Sequence, residues 1–303
     1  MAAWTLLCLA LVAAGCGSSR SATPVAKPAA FEAKAKGSHL AVIVMENKEY
    51  GDVIGNSSAP FINGLARRYE LATNSYGVSH PSLPNYLALT GGDTFGIDSD
   101  CTSCHVAGKS IVDELEGRRI SWKAYMESMP TPCYRGGSAG DYAKKHDPFA
   151  YYDRIMASKR RCSKIVPYSQ LANDMHRGRL PKFVFISPNL CHDMHDCEVK
   201  TGDSFLAGLV PSLLRALGRH GVLFLTWDEG SSDRGCCGGA SGGHIATIVA
   251  GRDVRKGARS GVPYDHYSVL RTISELLHIA PLRNAASPST KSLDPLFAHR
   301  PRL

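Results

Sequence analysis

The run His39-Leu-Ala-Val-Ile-Val-Met45 passes without a break into Glu46-Asn47, and Val222-Leu-Phe-Leu-Thr-Trp227 passes in the same way into Asp228-Glu229. A continuous apolar run rich in β-branched residues predicts a strand buried on both faces, as in parallel sheets covered by helices. Lys182 to Ile186 and His244 to Ala250 read as further strands. Helical spacing marks Pro60 to Tyr69, Asp203 to Leu217 and His266 to Ile279. The first of these has Pro in its first turn, and Phe61, Leu65 and Tyr69 fall on one face. Buried strands alternating with helices predict an α/β fold, a three-layer sandwich around a mostly parallel central sheet.

In such sheets ligands bind beyond the carboxyl ends of the strands. If the two runs are parallel neighbours, Glu46, Asp228 and Glu229 meet at one sheet edge, where three close carboxylates cannot all stay ionised without a cation. A divalent metal ion resolves the conflict: Ca or Mg held by oxygens, or Zn or Fe with mixed ligands. Either acid pair alone reads equally as loop caps in solvent. Between them lies His80-Pro-Ser-Leu-Pro-Asn-Tyr86. Pro84 suits a first helical turn, which places Ser82 at a helix N-terminus, where free N–H groups favour a phosphate. Alone, that serine would be an ordinary cap. A dense His/Asp loop, Cys191-His-Asp-Met-His-Asp-Cys197, follows another strand and can supply ligands or a proton donor.

Glu46-Asn47, His80-Pro-Ser-x-Pro-Asn-Tyr86, Pro188-Asn-(x)4-Met-His-Asp196 and Thr226-Trp-Asp-Glu229, in this order, resemble the phosphoesterase family of bacterial acid phosphatases and phospholipases C, in the alkaline-phosphatase superfamily. Ser121-Trp-Lys-Ala-Tyr-Met-Glu127, Tyr142-Ala-Lys-Lys-His-Asp-Pro148 and His266-Tyr-Ser-Val-Leu-Arg-Thr-Ile273 add to the likeness, which spans about Leu40 to Leu282. The resemblance implies an alkaline-phosphatase-like fold and a divalent metal ion held by Glu46, Asn47, Ser82, Asp228 and Glu229. It implies Ser82 as a nucleophile that forms a phosphoseryl intermediate, with His195 as proton donor or phosphate ligand. It also raises His244 as a phosphate ligand, Asn85 as either a phosphate donor or a brace of the helix start, and His266 as a ligand or a structural residue. The expected substrates are phosphate-ester small molecules, most simply monoesters, with phospholipid headgroups as the phospholipase C alternative. A sulfatase is excluded, since Ser82-Leu-Pro-Asn is followed by Tyr86 where those enzymes need Arg.

The surrounding sequence sets the context. Leu6 to Ala14 is an apolar run closing on Ala13-Ala14-Gly15-Cys16, which predicts a signal peptide over residues 1–16 with Cys16 lipidated. It is shorter than the roughly 20 residues of a spanning helix. A flexible tether over residues 17–37 and a phosphoesterase domain over 38–303 would follow. The protein is then expected to be exported, held by a lipid anchor on the outer face of the cell membrane, or freely secreted. Eight cysteines remain after Cys8 and Cys16, enough for four disulfides whose pairing is open. Cys101-Thr-Ser-Cys104-His105 also matches a c-type haem attachment pattern, which would instead make an electron-transfer lipoprotein. A binding lipoprotein that kept the fold without catalysis is the third reading, against which the intact Ser82, Asp228 and Glu229 speak. The net charge of +8 is dispersed and no basic tract or motif suggests a nucleic-acid partner, while oligomeric state is left open.

Overall fold

The computed structural model describes residues 1–3 and 37–303. The expected signal peptide, Cys16 and nearly all of the tether lie outside the described residues. The chain divides into two units, Met1–Glu32 and Ala33–Leu303, and every element named below belongs to the second.

The strands are β1 (Leu40–Met45), β2 (Glu70–Tyr76), β3 (Trp122–Met126), β4 (Ser138–Ala139), β5 (Tyr142–Ala143), β6 (Ile165–Pro167), β7 (Phe183–Ser187), β8 (Val222–Trp227), β9 (His244–Gly251) and β10 (Arg259–Ser260). Eight of them form one sheet in the order β10-β2-β9-β8-β1-β7-β3-β6, in which β9 runs against the others. The helices are α1 (Tyr50–Val53), α2 (Pro60–Arg68), α3 (Ser82–Gly91), α4 (Ile111–Gly117), α5 (Asp153–Met156), α6 (Lys159–Cys162), α7 (Ser169–His176), α8 (Val199–Ala216) and α9 (His266–Leu276).

The alternation of β1 divides the core in two. Leu40, Val42 and Val44 pack with α3, α4 and α9, whereas Ala41, Ile43 and Met45 pack with α2, α7 and α8. All six residues are at most 1% exposed, which is why their sequence reads as an unbroken apolar run. The three-layer α/β sandwich with its mostly parallel central sheet is therefore present.

Two local expectations need correction. Helix α2 buries Ile62, Leu65 and Ala66, while Phe61 and Tyr69 remain half-buried. Helix α8 begins at Val199, a full turn before Asp203. The second follows from Asp203 pointing inward to cap a different helix, accepting from the amides of Phe61 (3.2 Å) and Ile62 (2.8 Å) at the start of α2.

The cysteines pair as Cys101–Cys104, Cys133–Cys162, Cys191–Cys197 and Cys236–Cys237. The haem reading fails here, because the sulfurs of Cys101 and Cys104 are joined to each other and His105 meets Asp153 at 3.0 Å. Among the described residues no helix is long and apolar enough to cross a membrane.

Glu70, at the end of β2 away from the site, is 2% exposed and its Oε2 is buried without a partner. Burial pushes its pKa from an ordinary value near 4.5 up to about 7, against the pull of Arg255 and Arg259. The unfolded chain has already lost this proton where the folded one still holds it, so stability should fall as pH rises from about 4.5 to about 7. One proton sets a ceiling of about 1.4 kcal/mol per pH unit on that slope. Glu70→Gln is expected to remove it. Denaturant melts of both proteins across this window should diverge as pH rises, and parallel curves would refute the assignment.

Candidate active site

The parallel register of β1 and β8 pairs Met45 with Trp227, so the two chains leave the sheet side by side. The Asp228 amide donates to Met45 O at 2.9 Å, and the Asn47 amide donates to Asp228 Oδ1 at 3.1 Å. Asn47 turns the chain at φ +40, a left-handed geometry that Asn tolerates better than most residues. Glu46, Asp228 and Glu229 are thereby brought together in a nearly water-free place, none more than 5% exposed.

Ser82 stands as the first residue of α3, after Pro81. Its Oγ lies 3.1 Å from Glu46 Oε2 and 3.4 Å from Glu229 Oε1. Tyr86, one turn further along α3, donates its hydroxyl to Glu46 Oε1. Burial and the nearby carboxylates push the Tyr86 pKa up, so this donor keeps its proton. His80 pairs through Nδ1 with Glu229 Oε2.

The electrostatics are those of crowded acids. Burial and the charges of Glu46 and Glu229 push the Asp228 pKa far above the carboxylate range. Burial, opposed by His80 and helped by Glu46, brings Glu229 to about 7. Asn47 Oδ1 and Asp228 Oδ2 are buried oxygens without a hydrogen-bond partner. Orphaned oxygens beside surplus negative charge suit a hard divalent cation. Glu46, Asn47, Ser82, Asp228 and Glu229 would be its ligands.

A second group of donors also meets at Glu46. Glu46, His146 and His195 each offer an atom within 4.8 Å of the others, a possible metal site. His146 lies 3.2 Å from Glu46 Oε2 and 3.1 Å from Asp193 Oδ2, ion-pair distances at angles too oblique for good hydrogen bonds. Against the cost of burial, these two carboxylates raise its pKa to about 9 and favour the imidazolium. The two sets share Glu46, and a cation would displace a proton from His146 in one and from Asp228 in the other.

His195 is held through Nδ1 by Asp196 Oδ1 at 2.6 Å, and its Nε2 lies 3.1 Å from Lys145 Nζ. With the ammonium donating, Nε2 accepts. Asn85 has the bracing role of the two expected for it. Its Oδ1 accepts from the amides of Val78 and Ser79, and its Nδ2 donates to Ser79 O and Pro81 O. Both amide hydrogens are thus spent on the loop before Ser82. The His244 ring contacts Thr73 O at 2.9 Å and stacks on Tyr50, partners in β2 and α1 rather than in the acid cluster. His266 is fully buried and its Nε2 meets the Asp228 carbonyl. Burial lowers its pKa to about 4, so it stays neutral and braces the Asp228 backbone. Of the amides at the start of α3, the Leu83 N–H is already taken, donating to Asp100 Oδ1 at 2.9 Å.

His146, Asp193, Tyr86 and Lys145 were not assigned roles from the sequence. In the sequence, Tyr142-Ala-Lys-Lys-His-Asp-Pro148 adds only to the family likeness, since its 3-10 turns carry no strand-end signal.

This cluster, at the carboxyl edge of an α/β sheet, defines a hydrolase of the phosphoester-cleaving class, and the comparisons agree. Residues 52–280 match the Phosphoesterase family, to which the chain belongs. It is accordingly a hydrolase acting on phosphoric ester bonds. It is 32% identical over 242 residues to a phosphatidylinositol-3-phosphatase of Mycobacterium tuberculosis, covering 78% of this chain and 76% of that protein. It is 31% identical over 243 residues to an acid phosphatase of Aspergillus fumigatus, covering 76% of this chain and 52% of that longer protein. A Vibrio parahaemolyticus protein of the alkaline phosphatase superfamily shares the fold with a TM-score of 0.55 at 12% identity, over 84% of this chain and 71% of the other.

Proposed function

We propose that the protein is an exported acid phosphatase that hydrolyses phosphate monoesters through a phosphoseryl intermediate on Ser82. The observation that carries this reading is the position of Ser82 Oγ, buried at a helix start between Glu46 Oε2 and Glu229 Oε1. Either carboxylate can take the Oγ proton as Oγ attacks phosphorus in line, forming the Oγ–P bond while the ester P–O bond breaks. His195 protonates the leaving oxygen, for which Nε2 must take up a proton and release the Lys145 N–H. Water then attacks the phosphoserine from the vacated side and returns Ser82 with its proton. A divalent cation bound by Glu46, Asn47, Ser82, Asp228 and Glu229 would supply charge that lowers the Ser82 pKa and offsets the transferred phosphoryl group.

The relatives' names support a monoester. A phosphatidylinositol 3-phosphate is a monoester carried on a lipid, and the fungal relatives are named acid phosphatases. The four disulfides support export, since such bonds persist in oxidising compartments. Anchoring through a lipidated Cys16 on the outer face of the membrane belongs to the same proposal. A panel of p-nitrophenyl phosphate, phosphatidylinositol 3-phosphate vesicles and phosphatidylcholine vesicles, assayed at mildly acid pH on metal-analysed protein, tests it. Release of phosphate from the first two is expected. Release of phosphocholine without monoester turnover would establish a phospholipase C instead.

A further inference from the structure

We infer that Lys145 reads the second negative charge of a phosphate monoester, and so sets the preference of the site for monoesters over diesters. The inference rests on the phosphatase reading above and goes beyond it by naming the residue that selects the substrate class.

Consecutive residues of the 3-10 turn Lys144–His146 point to different partners. His146 enters the core between Glu46 and Asp193, and Lys144 reaches Thr102 O at 2.7 Å over the Tyr151 ring. Lys145 turns toward the nucleophile's helix. Its Nζ lies 3.0 Å from Asp100 Oδ2 and 3.1 Å from His195 Nε2. Through its other oxygen, Asp100 holds the amide of Leu83, the residue after Ser82. Two hydrogen bonds therefore tie the ammonium to the start of α3. An ammonium carries three N–H donors, and among the described residues two acceptors are in place, which leaves one for a phosphate oxygen and a second once His195 Nε2 takes up its proton. The side chain is 20% exposed, fixed yet reachable.

Charge balance gives that donor a task. Glu46, Asp228 and Glu229 together carry more negative charge than one divalent ion neutralises, and a monoester arrives as a dianion near neutral pH. The helix terminus offers less help than its position suggests, because Asp100 already occupies the Leu83 amide. His146 is shared by Glu46 and Asp193. Lys145 is an ammonium held against His195 and Asp100 with a donor left over. A diester brings one negative charge and needs this donor far less.

The test compares the parent with Lys145→Met and Lys145→Arg at pH 7, using p-nitrophenyl phosphate and its methyl diester, which share a leaving group. A charge-assisted hydrogen bond of this kind is worth about 10²-fold. Lys145→Met is expected to lower kcat/KM for the monoester about 100-fold and for the diester no more than a few-fold, with Lys145→Arg recovering part of the loss. Equal losses on both esters would reduce Lys145 to a brace for Asp100, and no loss on either would remove its role. Calorimetry with inorganic phosphate and dimethyl phosphate makes the same comparison without turnover. A parent that bound phosphate but cleaved neither ester would sink the phosphatase reading, while weaker phosphate binding in Lys145→Met would still bear out the lysine.

Discussion

Ser82→Ala is expected to lower kcat for p-nitrophenyl phosphate by about 10⁴-fold or more, the scale on which loss of an activated nucleophile acts. The expectation comes from geometry. Glu46 Oε2 and Glu229 Oε1 flank Ser82 Oγ at 3.1 and 3.4 Å, and nothing else in α3 presents a hydroxyl to them except Tyr86, whose proton is held by Glu46. Because the acids, His146 and Lys145 stay in place, phosphate affinity should change far less than turnover. A second readout separates a nucleophile from a binding residue: acid-quenched parent should carry a phosphoryl group on the peptide containing Ser82, and the variant should not. Alanine variant activity within tenfold of the parent's would instead point to direct attack by water.

Asp228→Asn should pull activity and stability in opposite directions. Burial, with Glu46 and Glu229 beside it, raises the Asp228 pKa, so ionising Asp228 at pH 7 costs stability unless a cation offsets it. In the presence of a chelator, the asparagine variant is expected to melt several degrees above the parent, at about 2–4 °C per kcal/mol for a domain of this size. Added divalent metal should then raise the melting temperature of the parent and hardly move that of the variant. Turnover should fall about 10³-fold or more in the variant, since Asp228 Oδ2 is one of the two orphaned oxygens that suit the ion. A parent whose melting and activity both ignored chelation and every divalent ion tried would overturn the metal assignment.

The acids at the ends of β1 and β8 were legible because each follows a run buried on both faces, so their convergence needed only the assumption of parallel neighbours. Ser82 was legible through Pro84, which marks a helix start. The groups that complete the site were not. His146 and Lys145 sit on a 3-10 turn with no hydrophobic period, and Tyr86 looks like one more apolar contact in α3. The fate of Leu83 N–H was hidden for another reason: its partner, Asp100, comes from a loop whose disulfide position no local pattern fixes. Strand β2, Glu-Leu-Ala-Thr-Asn-Ser-Tyr, does not read as a strand because four of its seven residues are polar, although five of the seven are buried. Asp203 misled in the opposite sense, marking a helix start that it supplies to α2 rather than to α8.

The separations within the cluster also govern when it comes into being. Ser82 meets Glu46 across 36 residues and Glu229 across 147, and Asn47 meets Asp228 across 181. A ribosome releases the nucleophile long before it releases β8, and contacts of such separation form late because the intervening chain must first be closed. The growing polypeptide therefore carries its serine through 147 residues of synthesis before Glu229 is added. Until then the serine has only Glu46 of the two carboxylates that flank it in the folded site.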